Sequence, residues 1–262
     1  IEGVRDARRF FSSLRAAARV KPVILMKVGR HPVGSRAAVS HTGAIVGADD
    51  VFDAAIRRAG AVRVTTIGQL VAAAQALSAN VRPRGDRLVI ITNGGGPGVM
   101  AADRAADLDL PLAELSPATL QVLKNALPAN WSHGNPVDLI GDADATRYRA
   151  AVAACLDDSN VDGALVVLTP QAMTEPTAVA DAVIDVARGR SKPVLACWMG
   201  EAEVAAGRKR FADSGIPVFR TPDPAVEIFA HLSAFYRNQQ TLLQVPGPLA
   251  MRLSRRSSSA NG

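Results

Sequence analysis

Aromatic residues make up only 4% of the 262 residues, and there are just two cysteines. So few rings leave no stacking platform for exposed bases. Cys155 and Cys197 lie 42 positions apart, outside any metal-ligand spacing, and two such thiols make no disulfide framework. Lysine is rare as well: Lys21, Lys27, Lys124, Lys192 and Lys209 leave 25 of the 30 basic residues as arginine. The net charge is +6, yet the basic residues are scattered among acids and form no dense block. Such a field suits small anions, and no nucleic-acid partner is expected. The sequence has no run of about 18 apolar residues and no basic-then-apolar leader, so no membrane span is expected and the cytoplasm is the expected compartment. The first residue is Ile1 rather than methionine, so the sequence is expected to start inside a longer polypeptide or a processed chain.

What is present is an ordinary globular balance, 48% hydrophobic and 21% charged, with alanine, valine, leucine and glycine left to build the core. Short aliphatic runs alternate with helical stretches along most of the chain. Arg5 to Arg19 reads as an amphipathic helix, Val23–Met26 as a buried strand, and Gly29 to Gly47 as a loop. A helix from Asp49 to about Ala59, a strand at Val62–Val64 and a helix from Thr66 to about Ser78 follow. Asn80 to Asp86 reads as a linker. Beyond it, six strands are expected: Leu88–Thr92, Pro111–Glu114, Val137–Ile140, Gly163–Thr169, Pro193–Trp198 and Pro217–Arg220. Helices fill the intervals, the last running from Asp223 to about Tyr236. This rhythm predicts an α/β fold, a doubly wound parallel sheet covered on both faces. Three parts follow: residues 1–80, with too few strands for more than half a domain; residues 81–245, a complete one; and residues 246–262, a linker and disordered basic tail.

Asn93-Gly94-Gly95-Gly96-Pro97-Gly98 joins a strand to a helix. Ligands in open α/β sheets bind at the carboxyl ends of strands, and a helix start offers unpaired N–H groups plus the positive end of its dipole. The dipole contributes something like 0.3–2 kcal/mol to an anion held there. All six residues are therefore candidate phosphate ligands. Gly96 to Ala101 also fits G-x-G-x-x-A, with Glu114 placed 18 residues after Gly96 like the ribose-binding acid of a dinucleotide site. Phosphate, dinucleotide and a bare tight turn stay open on these residues alone.

The stretch from Gly34 to Ala44 holds His41 between Ser40 and Thr42-Gly43. A neutral imidazole is nucleophilic near neutral pH, and a phosphorylated ring needs N–H donors and cations around it. Arg36, Ser40 and Thr42 are the local candidates.

Lys27-x-Gly29-Arg30 followed by Ser40-His41-Thr42-Gly43-Ala44 resembles the phosphohistidine segment of NDP-forming acyl-CoA synthetases, the ADP-forming acetate–CoA ligases and their succinyl-CoA ligase relatives. Ile1 to Asp6 resembles the family's preceding Glu-Gly segment, with Glu2 placed 39 positions before His41. Asn93–Gly98 with Val99 to Asp103 resembles its phosphate-facing helix start, and Gly134-Asn135-Pro136-Val137-Asp138 a further loop near that site. The likeness covers about residues 1–245, with the motifs in family order.

The resemblance implies flavodoxin-like, succinyl-CoA-synthetase-like domains, the first of them represented by its carboxyl-terminal half. It implies a ligase that forms acyl-CoA from acid, CoA and ATP, reversibly, through an acyl phosphate and a phosphohistidine at His41. Glu2 would orient that imidazole. Ser40, Thr42, Gly43 and Asn93–Gly98 would hold phosphate, and Asn135, Pro136 and Arg36 would contact substrate. No tightly bound cofactor and no metal site in this chain are expected, the substrates being CoA and ATP/ADP, with Mg2+ at the nucleotide domain. The partners implied are a CoA-binding domain and an ATP-grasp domain, on the same polypeptide or another subunit, together with a small carboxylic acid or its acyl phosphate. Homo- or hetero-oligomeric assembly stays open. Neither partner domain is recognisable here, so the isolated chain is expected to fall short of the full reaction. Two other classes stay open: a non-catalytic synthetase-like module, for example fused to an acetyltransferase, and a dinucleotide or flavin binder. His31, His133 and His231 read as loop or packing residues, and Asp49, Asp50 and Asp53 as helix-start charges.

Overall fold

The computed structural model describes residues 1–42, 48–79 and 81–244, apart from the side chains of Val39, His41 and Thr42. The expected tail at 246–262 and the site residue Gly43 lie outside the described residues.

Helix α1 (Ala7–Val20) starts where the Asp6 side chain accepts from the Arg9 N–H at 2.9 Å, satisfying a donor that the helix itself leaves unpaired. Strands β1 (Ile24–Met26) and β2 (Val62–Val64) pair in parallel, with Ile24 opposite Val62. Between them lie α2 (Pro32–Thr42) and α3 (Asp49–Arg58). Residues 32–42 of the loop expected from Gly29 to Gly47 are therefore helical, and residues 43–47 lie outside the described residues. Pro32 at the first position pre-sets the helical φ, the Ser35 N–H reaches the His31 carbonyl at 2.8 Å, and Ala37-Ala38 favour continuation. Helix α4 (Ile67–Ser78) follows, opened by a capping box between Thr66 and Gln69.

The second unit is built on β3 (Leu88–Thr92), α5 (Gly95–Asp107), α6 (Pro117–Ala126), β4 (Val137–Asp138), α7 (Ala145–Asp157) and β5 (Gly163–Leu168). It continues through α8 (Pro176–Ala187), β6 (Val194–Trp198), α9 (Ala205–Asp213), β7 (Val218–Phe219) and α10 (Pro222–Leu243). Its sheet is parallel with the order β4-β3-β5-β6-β7, so the chain winds one way and then the other from β3. Side chains alternate across it. Val89, Ile91, Val166 and Trp198 enter one core with α6 to α9, whereas Leu88, Ile90, Leu165 and Cys197 enter another with α5 and α10. Strands buried on both faces read as unbroken aliphatic runs, which is why they are visible in the sequence.

Two expectations change here. The sheet has five strands rather than six, because Leu112 makes only an isolated bridge to Leu88. The last helix runs past Tyr236 to Leu243. Its extra turns pack on the first unit: Asn238 donates to the Ala61 carbonyl at 2.7 Å and Gln239 to those of Gly60 at 2.6 Å and Ala18 at 3.2 Å. Val62, Val64, Ala73, Ala76 and Leu77 of the first unit share the core of α5 and α10, so the first unit leans on the second.

Candidate functional site

The chain reverses its winding between β3 and β5, and the glycine-rich turn leaves the sheet there. Gly94 is the N-cap of α5. Its N–H donates to the Thr92 hydroxyl at 3.0 Å, and that hydroxyl donates back to the Gly94 carbonyl at 2.9 Å. The N–H groups of Gly95 and Gly96 stand at the first two helical positions, where no intrahelical acceptor exists, and Pro97 contributes no donor. A Cβ on Gly96 would meet nothing within 4 Å, so the backbone there is open to a ligand. By contrast, a Cβ on Gly94 would come within 2.8 Å of the Thr169 hydroxyl, and one on Gly98 within 2.9 Å of Thr92 Cγ2. Those two glycines let the helix sit close to the sheet, while Gly95 and Gly96 stand at the open start of the helix, Gly96 exposed and Gly95 half-buried.

Asn93 has a structural duty at this point. It is buried, its Oδ1 accepts from both the N–H (2.8 Å) and the hydroxyl (3.1 Å) of Thr169, and its Nδ2 donates to the Thr169 carbonyl at 2.9 Å. The side chain thus ties the ends of β3 and β5 together across the switch point. Tyr148 lies beneath, fully buried with its hydroxyl donating to the Val167 carbonyl at 2.8 Å, and burial pushes its pKa up.

Asn135 likewise spends its amide on the fold. Its Oδ1 accepts from the Ile90 N–H at 3.0 Å, and its Nδ2 donates to the carbonyls of Leu88 (2.8 Å) and Ala113 (3.0 Å). Both amide hydrogens go to backbone, so this side chain, expected to contact substrate, is a wedge in the sheet edge. It also explains the missing strand. The amide inserts where Leu112 and its neighbours would have continued along β3, and β4 takes over the edge at Ile91.

Pro136, reached through a cis peptide from Asn135, sits 3.6 Å from the point where a Gly98 Cβ would stand. Asp138 Oδ2 is 3.4 Å from the corresponding point on Gly95. The other Asp138 oxygen accepts from the Ile140 N–H at 2.9 Å, and Ile140 has a φ of 70°. A β-branched residue in that region is strained, and such strain concentrates at functional sites. The loops after β3, β4 and β5 therefore converge on the start of α5. Sequence reasoning put Asp138 in a loop near the site without giving it a role, and missed Ile140 and Thr169, whose signal was position at the carboxyl end of an expected strand.

The rival dinucleotide reading loses its acid. The Leu88–Leu112 bridge sets Glu114 level with the middle of β3, away from the strand ends, and its carbonyl accepts from the Asn160 amide.

In the first unit, the Val28 N–H donates to the Ile1 carbonyl at 3.0 Å, so the half-buried Glu2 lies alongside the end of β1, where the chain turns toward α2. Arg36 and Ser40 are exposed on α2. The backbone of His41 and Thr42 closes that helix, and their side chains lie outside the described residues. The segment is anchored at both flanks. Lys27, 3% exposed, points its ammonium at Asp49 Oδ1 (3.5 Å), which also pairs with Arg63 Nη2 at 2.6 Å. Both cations lie 5.6 Å from the Phe52 ring centroid. The Arg63 hydrogen bond, with the charges of Arg63 and Lys27, holds the Asp49 carboxyl below its ordinary range against the opposing cost of burial. Asp49 is thus more than a helix-start charge, because it joins α3 to Lys27 just past β1 and to Arg63 in the middle of β2.

No group of three or more His, Cys, Asp or Glu suited to a metal ion occurs among the described residues, and none of their helices is long and apolar enough to cross a membrane. A groove of about 300 Å³ lined by Ala72, Gln75, Ile216 and Phe219 opens near the amino end of β7, away from the strand ends that carry the site.

A flavodoxin-like strand order with an amide-lined helix start at its switch point defines an α/β protein of the doubly wound class, in which ligands bind at the carboxyl edge of a parallel sheet and helix starts suit anions. Residues 1–77 match the succinyl-CoA ligase like flavodoxin domain, and residues 88–246 match the Ligase-CoA domain. The chain belongs to the NDP-forming acyl-CoA synthetase family. It is 37% identical over 239 residues to the alpha subunit of ADP-forming acetate–CoA ligase I of Pyrococcus furiosus, covering 90% of this chain and 51% of that one. It is 30% identical over 237 residues to the ADP-forming 4-hydroxybutyrate–CoA ligase of Nitrosopumilus maritimus, covering 34% of that protein. Among solved structures, the dinucleotide-forming acetyl-coenzyme A synthetase 1 of Ca. Korarchaeum cryptofilum, in complex with phosphate and ADP, superposes with a TM-score of 0.85 at 32% identity. That match covers 94% of this chain and 55% of the other. The chain therefore spans about half the length, or less, of these relatives.

Proposed function

We propose that this chain supplies the phosphohistidine-bearing and acyl-phosphate-handling domains of an ADP-forming acyl-CoA synthetase. Phosphate attacks the thioester carbonyl of acyl-CoA, releasing CoA and leaving an acyl phosphate. A ring nitrogen of His41 then attacks phosphorus, the acid departs as carboxylate, and the phosphohistidine gives its phosphoryl group to ADP to form ATP. Run backwards, ATP drives acyl-CoA formation. The observation that carries this reading is the amide pair of Gly95 and Gly96 at the switch point, in a chain whose two domains match this family in order.

Each residue has a part in that sequence. Two backbone donors and the α5 dipole hold the phosphoryl oxygens. The Asp138 carboxylate beside Gly95 opposes a resident dianion, so the turn suits a group that is passed on rather than stored. Glu2 accepts the second ring N–H of His41 and fixes the nucleophilic tautomer. Ser40, Thr42, Gly43 and Arg36 surround the phosphorylated ring. Pro136 shapes the floor beside Gly98. CoA-binding and ATP-grasp domains, on the same polypeptide or another subunit, supply the thioester and nucleotide sites, with Mg2+ accompanying ATP at the latter, in the cytoplasm.

The test is phosphoryl labelling. The chain, together with its partner domains, is incubated with radiolabelled ATP or acetyl phosphate, and an acid-labile, base-stable label is mapped by peptide analysis. Loss of that label in His41→Ala, with a preserved melting transition, is the expected result. Labelling that persists in the variant removes His41 from the reaction.

A further inference from the structure

The helix that offers the amide pair is held far from its start by one carboxylate. Arg104 lies nine residues beyond Gly95 on α5, about 14 Å down the axis. Its Nη2 donates to Glu227 Oε1 of α10 at 2.7 Å. The other carboxylate oxygen accepts from Gln69 Nε2 of α4 at 2.8 Å. Gln69 is itself fixed in place. Its Oε1 accepts from the Thr65 N–H (2.9 Å), the Thr65 hydroxyl (3.0 Å) and the Thr66 N–H (3.3 Å), and its own N–H donates to the Thr66 hydroxyl. The amide end of Gln69 therefore has a single direction, and that direction is Glu227. With Glu227 19% and Arg104 29% exposed, the pair is only partly screened by water. His231, one turn along α10, also faces the carboxylate, and Asp107 shares Arg104 at 3.5 Å. Hydrogen bonds from Gln69 and Arg104 hold the Glu227 carboxyl below its ordinary range, against the desolvation that burial imposes.

We infer that Glu227 is a positioning residue: by gripping Gln69 of the histidine-bearing unit with one oxygen and Arg104 of the phosphate-facing helix with the other, it sets where the Gly95–Gly96 amides stand relative to that unit. The inference rests on the phosphoryl-transfer reading for its consequence and on the α4–α10–α5 bridge for its geometry. Group transfer is steep in distance, a misplacement of about 1 Å costing on the order of 100-fold. Loosening the bridge should therefore act on the maximal rate of histidine phosphorylation and leave ligand affinity alone. Each carboxylate oxygen has its own partner, so Glu227 and Arg104 should behave as one unit.

The test uses the full chain with its partner domains and two readouts. The first is the rate of His41 labelling by radiolabelled acetyl phosphate as a function of its concentration. Glu227→Ala and Arg104→Met should each lower the maximal rate by tenfold or more, on the order that such misplacement allows, with the half-saturating concentration within about twofold of the parent. The double variant should be no slower than the worse single one, because the two residues act together. Glu227→Gln, which keeps an acceptor for Arg104 and loses the one aimed at Gln69, should fall between parent and alanine. The second readout is independent of chemistry: nitroxide labels at Val51→Cys on α3 and Asp103→Cys on α5, both exposed sites, read by double electron–electron resonance. Folded Glu227→Ala should broaden or shift that distance distribution. A folded variant with the parental distribution, or one with an altered distribution and the parental labelling rate, overturns the inference. If Glu227→Ala does not fold, Glu227→Gln decides by the same two criteria. A parent that takes no label sinks the proposed function alone, and the distance measurement then decides whether Glu227 sets the geometry.

Discussion

Replacing Asn135 by alanine removes three hydrogen bonds at once from the edge of the main sheet: those with the Ile90 N–H and the Leu88 and Ala113 carbonyls. Leu88 and Ile90 are fully buried, so water has poor access to the groups left behind. The Leu88 carbonyl keeps a second donor, the Ala113 N–H at 2.8 Å, and is the least affected. The Ile90 N–H has no alternative in reach along β3, and an unpaired buried group costs about 1–3 kcal/mol. Adding partial losses at the two carbonyls gives a destabilisation of about 3 kcal/mol. With a urea m-value of about 3 kcal/mol/M, the unfolding midpoint falls by about 1 M. Urea titration followed by tryptophan fluorescence measures it, since Trp131 and Trp198 are both buried and lie in the core beside this edge. Asn135→Asp is the informative companion. It preserves shape and the acceptor for Ile90, but presents a second oxygen to two carbonyls, so at neutral pH it should be no better than alanine. A midpoint drop of less than about 0.3 M for Asn135→Ala, corresponding to less than about 1 kcal/mol, would refute the wedge and return Asn135 to the list of substrate contacts.

Two further outcomes are expected. Burial pushes the Cys155 and Cys197 thiols up to about 12, so neither should react with a thiol reagent at about pH 8 in the native protein, and both should react in urea; rapid stoichiometric modification of the folded chain would contradict this. Burial, opposed by the Glu227 charge, holds the His231 imidazole below its ordinary range. The unfolded chain then takes up that proton first, so stability should decline as pH falls below about 6.5, until the folded group titrates as well. Carboxyls with lowered folded values, Asp49, Asp162 and Glu227, act in a lower window: their contribution is present above the unfolded value near 4 and is lost as pH falls through the folded ones. His231→Gln should therefore flatten urea midpoints between about pH 7 and 5 and leave the more acidic decline in place; an unchanged slope in the upper window would exclude His231.

The parts of the fold that were legible in the sequence are those where one physical rule acts alone. Strands buried on both faces must be aliphatic throughout, and Leu88–Thr92, Gly163–Leu168 and Val194–Trp198 appear where such runs stand. A helix was expected to open at Thr66, and there the structure has a capping box that Thr66 forms with Gln69. The glycine turn was legible as an exit from a buried strand into a helix. Its internal division was not, because which glycines stand open and which admit a neighbouring side chain depends on Thr92 and Thr169, distant in sequence from one another. Pro111–Glu114 has the composition of a strand, and only the Asn135 amide, arriving from more than twenty residues downstream, keeps it from becoming one. The stretch before His41 reads as a loop for its glycines and serine, whereas Pro32 and the alanines carry it into a helix. The last turns of α10 were missed because Asn238 and Gln239 look like the polar end of a helix, when each finds a carbonyl of the first unit.

Helix α10 has a consequence for where this polypeptide can be cut. The two family matches meet in sequence near residue 80, and that boundary invites treating the halves as interchangeable modules. In space the frontier runs elsewhere. The carbonyls of Ala18, Gly60 and Ala61 are capped by residues that the chain reaches only after completing the entire second sheet. A chimera that exchanges residues 1–77 while keeping a foreign α10 inherits a mismatched lid. The unit of inheritance for grafting is the first half plus the distal turns of that helix, taken together.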